Sequence, residues 1–415
     1  MPIRGIISLP GDKSISHRAL MLAALSDGDC IIHNISTCKD VESTRKCLLD
    51  CGIESRKDNG SIFIAGNEFR DPTATLDCGN SGTTTRLISG LLSGQGINAQ
   101  LCGDDSLSSR PMGRIFVPLT EMGAEISSTD GMLPLSISAT LLNGIEYTLP
   151  IASAQVKSSI ILAALGANGA STIIEPIKTR DHTELMLQYL GANISVSNKE
   201  ILVSPLKGKL HSFELNVPGD PSSAAFFAAA AAMIPNSDLM ILNISANPTR
   251  IGFFEALIKM GGGVEWKNIH EVCGELVGDV HIFYQPLYGI SITKDDIPAI
   301  IDELPILAVL SVSAEGPTII EGAEELRVKE TDRIHAICTN LLAVGVSVVE
   351  KKDGFIIDTP NILHSTNITS FGDHRIAMAF TIAGLNVGSY NKIDDMDCVN
   401  ISFPEFLETL KSILK

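Results

Sequence analysis

The chain has 415 residues, 45% of them hydrophobic, and a formal net charge of −17 at pH 7. This length predicts two domains, each with its own core. The negative charge argues against a general nucleic-acid-binding protein, which needs a basic surface to bind phosphate backbones. Any anionic ligand must therefore be bound by a local cluster of cations, which can act in an acidic protein because salt screens charges beyond about 8 Å.

The apolar segments are too short to span a membrane. The longest wholly apolar run, residues 224–234, covers eleven residues, whereas a membrane-spanning helix needs about 20. The first residues, MPIRGIISLP, contain Arg4 and Gly5 and lack the apolar core of a secretory signal. We therefore expect a cytosolic protein that does not bind membranes.

The nine cysteines do not indicate a metal site or a disulfide framework. No two of them have the CxxC spacing. Cys47 and Cys51 lie one helical turn apart, but no histidine or third cysteine joins them at ligand spacing. We expect reduced thiols and no bound metal.

Six segments share one pattern, in which small polar or charged residues lead into an apolar helix that ends at a turn residue. They begin about 70 residues apart, as in a repeat protein. They cover residues 12–28, 79–96, 153–169, 219–236, 301–316 and 372–388. A second, amphipathic helix follows each of them, and in the first five repeats a strand of alternating residues comes next. These second helices fall within residues 38–55, 110–128, 179–197, 248–266, 329–350 and 403–415.

This pattern predicts an α/β protein with two domains of three repeats each. The N-terminal stretch IRGIISLP is expected to supply the strand that follows the sixth repeat. One domain would then comprise residues 1–11 and 219–415, and the other residues 12–218. The chain would cross between them twice, in stretches rich in Pro and Gly. Such a double hinge would let the domains close on a ligand bound in the cleft between them.

Cations recur at predicted helix starts in nearly every repeat. A cation at a helix start opposes the helix dipole unless an anion binds there, so the repeated cations predict a shared anion site. By contrast, Ser222, Ser223 and Thr183 are expected to be ordinary N-caps. The cations are Lys13, Arg18, Arg110, Arg180, Arg250, Lys329, Arg333 and Arg375.

The Gly-rich stretch CGNSGTTTR, residues 78–86, does not match a nucleotide-binding motif. It lacks the Gly-Lys-Ser/Thr ending of a P-loop and the spacing of a dinucleotide fingerprint. We interpret Asn80, Gly82 and Thr83 as a cradle for a phosphate or a carboxylate. A plain tight turn would account for the same residues equally well.

Together these motifs resemble the 3-phosphoshikimate 1-carboxyvinyltransferases, a family of enolpyruvyl transferases. The resemblance covers nearly the whole chain. It implies two inverse α/β domains, each of three βαβαββ-type repeats with buried parallel helices, joined by a double hinge. The motifs that carry it are GDKSISHR, GNSGTTTR, SSRPMGR, SAQVKSS, TRDHTE, GDPSSAAFF, DELPILAV, VKETDR, GDHRIAMAF and SFPEF.

The resemblance implies a reaction in aromatic amino-acid biosynthesis that needs no metal and no organic cofactor. The 5-hydroxyl of shikimate 3-phosphate adds to C2 of phosphoenolpyruvate while C3 gains a proton. The tetrahedral ketal then loses a C3 proton and phosphate, which leaves the enolpyruvyl ether. The expected partners are these two small molecules, without nucleic acid or membrane, and a monomer is expected.

The resemblance also implies roles for individual residues. Asp302 would be the base for the hydroxyl, and Lys13 with Glu330 would transfer protons at C3. The alternative for Asp302 and Glu330 is N-capping of the helices that they begin. Shikimate 3-phosphate would be bound by Lys13, Ser14, Arg18, Ser153, Gln155, Arg180, Asp302 and Lys329. Phosphoenolpyruvate would be bound by Lys13, Asn80, Gly82, Thr83, Arg110, Gln155, Arg333 and Arg375.

Two positions depart from a common pattern of the family. Leu87 stands where many members have proline, and Ile401 stands where some carry a lysine that touches phosphoenolpyruvate. In the family, glyphosate occupies the phosphoenolpyruvate site. Because Gly82 leaves room for this longer inhibitor, we expect glyphosate to compete with phosphoenolpyruvate.

Two other functions fit parts of the sequence. The related UDP-N-acetylglucosamine enolpyruvyl transferases share the fold, but they have a Lys-Asn pair near the start and a cysteine on a Gly-rich loop. Here Lys13 is followed by Ser14, and residues 104–114 contain no cysteine. A non-catalytic module that binds a phosphorylated metabolite would be expected to lose Asp302 or Glu330.

Overall fold

A computed structural model describes residues 1–66, 68–359, 363–386 and 392–415, which divide into two compact units. The terminal unit comprises Met1–Pro10, Pro218–His270 and Leu276–Lys415 and so holds both chain ends. The central unit comprises Gly11–Val217 and Glu271–Glu275. The chain thus changes unit one residue earlier at each crossing than the sequence suggested. The short segment 271–275, which was not predicted to be separate, belongs with the central unit.

Each repeat contributes two main helices. In the central unit the helices are α1 (Lys13–Ala24), α2 (Lys39–Asp50), α3 (Gly82–Gln95), α4 (Asp105–Ser108), α5 (Gly113–Glu121), α6 (Ala154–Ala164) and α7 (His182–Tyr189). In the terminal unit they are α8 (Pro221–Met233), α9 (Gly252–Lys259), α10 (Ile297–Ile300), α11 (Leu304–Ser311), α12 (Arg333–Ala343), α13 (His374–Asn386) and α14 (Phe406–Ile413). Short 3-10 helices cover Glu324–Val328 and Asp397–Ile401.

The strands are short and alternate with the helices. The first lies in the terminal unit and the next fourteen in the central unit: β1 (Arg4–Ser8), β2 (Ser26–Asp27), β3 (Cys30–His33), β4 (Ser55–Asp58), β5 (Ser61–Ile64), β6 (Leu76–Asp77), β7 (Ala99–Cys102), β8 (Glu125–Thr129), β9 (Met132–Ser138), β10 (Glu146–Thr148), β11 (Ser171–Ile174), β12 (Ile194–Ser197), β13 (Glu200–Val203), β14 (Leu210–His211) and β15 (Glu214–Asn216). The later strands are β16 (Asp238–Ser245), β17 (Gly263–Val272), β18 (Glu275–Phe283), β19 (Leu287–Tyr288), β20 (Ser291–Ile292), β21 (Ala314–Glu315), β22 (Thr318–Ile320), β23 (Val348–Lys351), β24 (Gly354–Ile357), β25 (Asn367–Ile368) and β26 (Lys392–Ile393).

Five repeats build the same four-stranded sheet. In the second repeat, for example, β6 and β7 are parallel, and β7, β9 and β8 continue as an antiparallel hairpin. The strand orders are β15-β3-β5-β4, β6-β7-β9-β8, β10-β11-β13-β12, β1-β16-β18-β17 and β20-β22-β24-β23. The α/β class predicted from the sequence is confirmed, and the elements follow the βαβαββ order.

The sixth repeat ends early, and the N-terminal strand does not complete it. Among its described residues, that repeat has only the parallel pair β25-β26, and Gly388, which ends its first motif, lies outside the described part of the chain. The predicted place of the N-terminal strand is wrong, because β1 pairs in parallel with β16, with Ile7 opposite Ile241. Near α14, Ile3 forms a single bridge to Leu414. The reason is that the antiparallel partner β18 leaves the other edge of β16 available for a parallel strand.

The strands that precede α1 and α8 each pair in the sheet of the other helix's repeat. In the other repeats, the strand before the first helix pairs with the strand after it. Here β1 precedes α1 but pairs with β16, which follows α8. Likewise β15 precedes α8 but pairs with β3, which follows α1. In each unit, a strand that is distant in sequence therefore completes the four-stranded sheet of the first repeat.

The first helices of the repeats form the buried centre of each unit, as α3 and α6 show. A Cβ atom at Gly90 of α3 would lie 2.1 Å from the carbonyl oxygen of Ser159, and one at Gly94 would lie 2.8 Å from that of Ala163. Only glycine permits so close an approach. Because the contact positions advance together along both helices, α3 and α6 run parallel. Their N-terminal ends therefore lie side by side.

The described residues contain no obvious metal site or membrane span. None of the nine cysteines forms a disulfide, and Cys47 donates a hydrogen bond to the carbonyl oxygen of Asp77 at 3.5 Å. In the described parts of the chain, no three His, Cys, Asp or Glu side chains are grouped as metal ligands would be. Over the same residues, no helix combines the length and the apolar character that crossing a bilayer requires.

Candidate active site

The predicted site residues form two groups, one in each unit. We call them the central group and the terminal group. The central group lies at the starts of α1, α3, α5, α6 and α7 and consists of Lys13, Ser14, Arg18, Asn80, Gly82, Thr83, Arg110, Ser153, Gln155 and Arg180. The terminal group lies at the starts of α11, α12 and α13 and consists of Asp302, Lys329, Glu330, Arg333 and Arg375.

In the central group, α1 begins with a lysine that is held by a carboxylate. Asp12 caps the helix by accepting a hydrogen bond from the backbone N–H of Ile15 at 2.8 Å. The ammonium of Lys13 lies 2.9 Å from Oδ2 of Asp40, at the start of α2. The Lys13 side chain is 21% exposed, and the ion pair with Asp40 holds its ammonium in position.

Arg18 is buried one turn further along α1 and is surrounded by neutral oxygens. Its Nε and Nη2 atoms donate to the hydroxyls of Thr183 and Ser158, each at 2.7 Å, and its Nη1 donates to the carbonyl oxygen of Ser14 at 2.9 Å. Burial lowers the pKa of Arg18 to about 10, although the charge of Glu184 opposes this shift. Arg18 therefore stays charged at neutral pH in a site where an anion would stabilise it.

The Gly-rich stretch before α3 is braced by Arg110. The guanidinium donates to Oδ1 of Asn80 at 2.8 Å and to the hydroxyl of Ser106 at 3.1 Å. Asn80 donates in turn to Asp104 at 2.8 Å. Ser81 caps α3 by accepting from the N–H of Thr84. This fixed helix start, with its first-turn N–H groups, is suited to bind an anion.

A chain of side chains joins α3 to α6. The Gln155 amide donates to the Thr83 hydroxyl at 2.9 Å, and its oxygen accepts from Arg86. Ser153 caps α6, because its hydroxyl accepts from the N–H of Val156. Our sequence interpretation missed Arg86, although it ends the GNSGTTTR motif. Its position one helical turn after Gly82 was the signal that could have placed it on the same face of α3.

The terminal group surrounds one buried arginine with carboxylates. Arg333 lies 2.7 Å from Asp373, 2.8 Å from Glu330 and 3.6 Å from Asp302, and its side chain is 1% exposed. Burial alone lowers the pKa of Arg333, but these carboxylates outweigh it and hold that pKa above its usual value. The arginine thus holds the two carboxylates among the predicted acid–base residues close to one guanidinium.

Asp302 is shared among three cations. Its carboxylate lies 3.6 Å from Arg333, 3.7 Å from Arg375 and 3.9 Å from Lys329. Its backbone oxygen also accepts a hydrogen bond from Arg375 at 2.9 Å. The site therefore combines a candidate base with cations that could hold an anionic substrate beside it.

N-capping does not account for Asp302 and Glu330. The N-cap residue of α11 is Glu303, and α12 is capped by Asp332, which accepts from the N–H of His335 at 3.0 Å. Asp302 and Glu330 precede these caps and contact cations instead. The alternative considered for them is therefore wrong, because neighbouring residues fill the cap positions.

Other predicted caps are also wrong. Asp220, not Ser222 or Ser223, caps α8, and the Ser222 hydroxyl bonds to the buried carboxylate of Glu303. Thr183 binds Arg18 rather than capping α7. Among the predicted anion-binding cations, Arg250 is 2% exposed and lies 3.0 Å from Asp220. Its charge is therefore matched by a carboxylate of its own unit.

Asp373 was also missed by the sequence interpretation. It is fully buried, binds Arg333, and accepts from the N–H of Arg375 at 2.8 Å. The sequence could have indicated this residue, because Asp373 directly precedes α13 just as Asp12 directly precedes α1. Both departures from the family pattern lie in or against apolar cores: Leu87 is fully buried, and Ile401 packs against the terminal unit's core.

Comparisons with known proteins identify the family of the chain. Residues 1–410 match the family model of EPSP synthase, 3-phosphoshikimate 1-carboxyvinyltransferase. The chain is similar to the 3-phosphoshikimate 1-carboxyvinyltransferase of Persephonella marina, with 46% identity over 99% of this chain and 97% of the relative. It is 45% identical to that of Alkaliphilus metalliredigens, over 100% of this chain and 98% of the relative.

A solved structure shows the same likeness in three dimensions. The EPSP synthase of Acinetobacter baumannii matches with a TM-score of 0.89 and 39% identity, over 99% of this chain and 96% of that one. The chain therefore belongs to the EPSP synthase family, whose members transfer the enolpyruvyl group of phosphoenolpyruvate to shikimate 3-phosphate.

Proposed function

We propose that the central and terminal groups carry out this transfer with the residue roles implied by the family motifs. Shikimate 3-phosphate would be bound by Lys13, Ser14, Arg18, Ser153, Gln155, Arg180, Asp302 and Lys329. Phosphoenolpyruvate would be bound by Lys13, Asn80, Gly82, Thr83, Arg110, Gln155, Arg333 and Arg375. We further propose that the protein acts as a cytoplasmic monomer.

The surroundings of Arg18 support its role toward the phosphate group. Its three described hydrogen bonds go to neutral oxygens, and its pKa is lowered. A dianionic phosphate would compensate this buried charge, and charge-assisted bonds to arginine are among the stronger hydrogen bonds.

The chemistry divides the proton transfers among Asp302, Lys13 and Glu330. Asp302 accepts the proton of the 5-hydroxyl as its oxygen attacks C2 of phosphoenolpyruvate. Lys13 and Glu330 deliver a proton to C3 and later remove one, as the ketal loses phosphate. Arg110, Arg333 and Arg375 stabilise the negative charge that collects on the departing phosphate.

One observation carries this proposal: Asp302 and Glu330 share the buried guanidinium of Arg333 instead of capping helices. A module that only binds a metabolite has no need for two carboxylates among anion-binding cations, because they weaken anion binding. A catalyst needs them as proton acceptors. This favours the enzyme over the non-catalytic module.

The direct test is phosphate release from phosphoenolpyruvate, with shikimate 3-phosphate or UDP-N-acetylglucosamine as the acceptor. We expect release only with shikimate 3-phosphate, and none with the Asp302→Asn, Glu330→Gln double variant. Unchanged release by that variant would contradict the acid–base roles. Turnover of the sugar nucleotide would favour the related transferase activity.

A further inference from the structure

A buried ion cluster lies beside the central group and has no part in the proposed chemistry. Lys157 of α6 is fully buried, and its Nζ lies 2.7 Å from Glu184 and 2.9 Å from Glu175. The side chains of both glutamates are at most 5% exposed. Burying three charges is expensive, and such clusters add little net stability. The position of Lys157, Glu175 and Glu184 beside the central group therefore points to a role other than stability.

Glu175 ties this cluster to the segment that leads to Arg180. Its Oε2 atom accepts the backbone N–H of Thr179 at 3.1 Å and the Thr179 hydroxyl at 2.9 Å. Lys157 also donates to the carbonyl oxygen of Thr179 at 3.4 Å. Residues 175–180 form neither helix nor strand, so no regular hydrogen-bond ladder holds them. These contacts hold both peptide groups of Thr179, which directly precedes Arg180.

Glu184 ties the same cluster to Arg18. It follows Thr183, whose hydroxyl accepts from Arg18 at 2.7 Å. The pKa of Arg18 is lowered mainly by burial. The negative charge of Glu184 raises this pKa, whereas the positive charge of Arg180 lowers it further. Arg180 thus contributes a like charge that disfavours the charged form of Arg18. The Lys157 cluster therefore contacts the segment that leads to Arg180 and adjoins the residue that binds Arg18.

We propose that Lys157 is a positioning residue for Arg180: through Glu175 and Thr179 it fixes the backbone that presents Arg180 to the phosphate of shikimate 3-phosphate. This inference rests on the proposed role of Arg180 in binding that phosphate. Its consequence is specificity for a phosphorylated acceptor, since the support acts on a phosphate-binding arginine and not on the groups that perform the proton transfers.

The test uses Thr179→Val, which removes one hydrogen bond to Glu175 but keeps the side-chain shape and the ion cluster. We expect the KM for shikimate 3-phosphate to rise about tenfold, the size expected for a hydrogen bond to a buried charge. The kcat and the KM for phosphoenolpyruvate stay unchanged. Thr172→Val, on β11, is the matched control and leaves all three constants unchanged.

A double-mutant cycle distinguishes positioning from a general structural effect. If Thr179 acts through Arg180, then Thr179→Val adds nothing in an Arg180→Met background. The double variant Lys157→Met, Glu184→Gln keeps the net charge of the cluster and is expected to show the same selective rise in KM, with no further rise when combined with Arg180→Met.

Three results would overturn the inference: no change in the Thr179→Val variant, a matching fall in kcat, or full additivity with Arg180→Met. A different result would count against the proposed function instead. If Arg180→Met alone leaves the KM for shikimate 3-phosphate unchanged, Arg180 does not bind the phosphate. That result would contradict the proposed role of Arg180 itself, independently of the positioning role of Lys157.

Discussion

Arg18 of the central unit and Arg333 of the terminal unit are both almost fully buried, but their partners differ. Arg18 donates to two hydroxyls and a backbone carbonyl. Arg333 is surrounded by the carboxylates of Asp302, Glu330 and Asp373. The pKa of Arg18 is lowered by burial to about 10, whereas carboxylates hold that of Arg333 above its usual value.

The difference shows how one repeated motif serves two purposes. A buried cation among neutral oxygens is stabilised by an incoming anion, which suits the binding of a phosphate. A buried cation among carboxylates already has its counter-charges, and it holds those carboxylates in place. Substitutions of these two arginines should therefore affect different kinetic constants.

The largest effect is expected from Lys13→Met in the central group. Methionine has similar length but neither charge nor proton, and it leaves the Asp40 carboxylate without its 2.9 Å ion pair to Lys13. We expect turnover to fall roughly a thousandfold or more, within the range for a positioned acid combined with charge stabilisation. Lys39→Met, an exposed lysine beside Asp40, is the control in a phosphate-release assay. A rate within tenfold of the unmodified protein would remove Lys13 from the chemistry.

Asp302→Asn separates catalysis from binding in the terminal group. We expect kcat to fall roughly a hundredfold, because the amide accepts no proton. The KM for phosphoenolpyruvate should stay level or fall, since Arg333 and Arg375 lose a competing carboxylate. Steady-state kinetics of this variant and of Asp295→Asn, an exposed control, test both expectations. A raised KM with normal kcat would show that Asp302 only binds substrate.

The comparison also predicts a pH effect on the stability of the central unit. His17 is buried beside Arg18 on α1, and burial lowers its pKa to about 3. The unfolded chain binds this proton below about pH 6.5 but the folded chain does not, so stability is lost as the pH falls from about 6.5 toward 3.

Urea unfolding at pH 7 and pH 5 measures this effect. Between these values, His17→Gln should lose about 2 kcal/mol less unfolding free energy than the unmodified protein. His335→Gln replaces an exposed histidine and should behave like the unmodified protein. Equal losses in the His17→Gln variant and the unmodified protein would mean that His17 is protonated in the folded state.

The smallest effect is expected from Gly82→Ala. The new Cβ atom would lie 3.0 Å from Nη1 of Arg86 and 3.8 Å from Nη1 of Arg110. Arg86 must shift, so we expect the KM for phosphoenolpyruvate to rise by up to about tenfold, the lower range for overpacking. Inhibition by the longer glyphosate should weaken more. Gly113→Ala, where a Cβ meets open space, is the control. Equal weakening of both ligands would show that Gly82 does not set the length of the pocket.

The sequence by itself determined the repeats, the two kinds of helix and the sites where cations gather. These features depend on patterns within about ten residues, such as the apolar run of α8 or the turn before α3. Residues this close in sequence decide where a helix ends and which of its faces is apolar. The family motifs added the reaction and the residues to examine, and Asp302, Arg333 and Arg375 do lie together.

Only the tertiary structure decided which strand each repeat receives and which partner each polar side chain meets. The alternation in IRGIISLP predicts a strand equally well in either repeat, and the open edge of β16, more than 200 residues away, selects its place. Thr183 is a residue type that often caps helices, but its hydroxyl accepts a hydrogen bond from Arg18, 165 residues earlier in the chain. Asp373 and Arg86 were missed for the same reason: a side chain's role depends on the charges and hydrogen-bond partners that packing brings to it, and local sequence does not specify them.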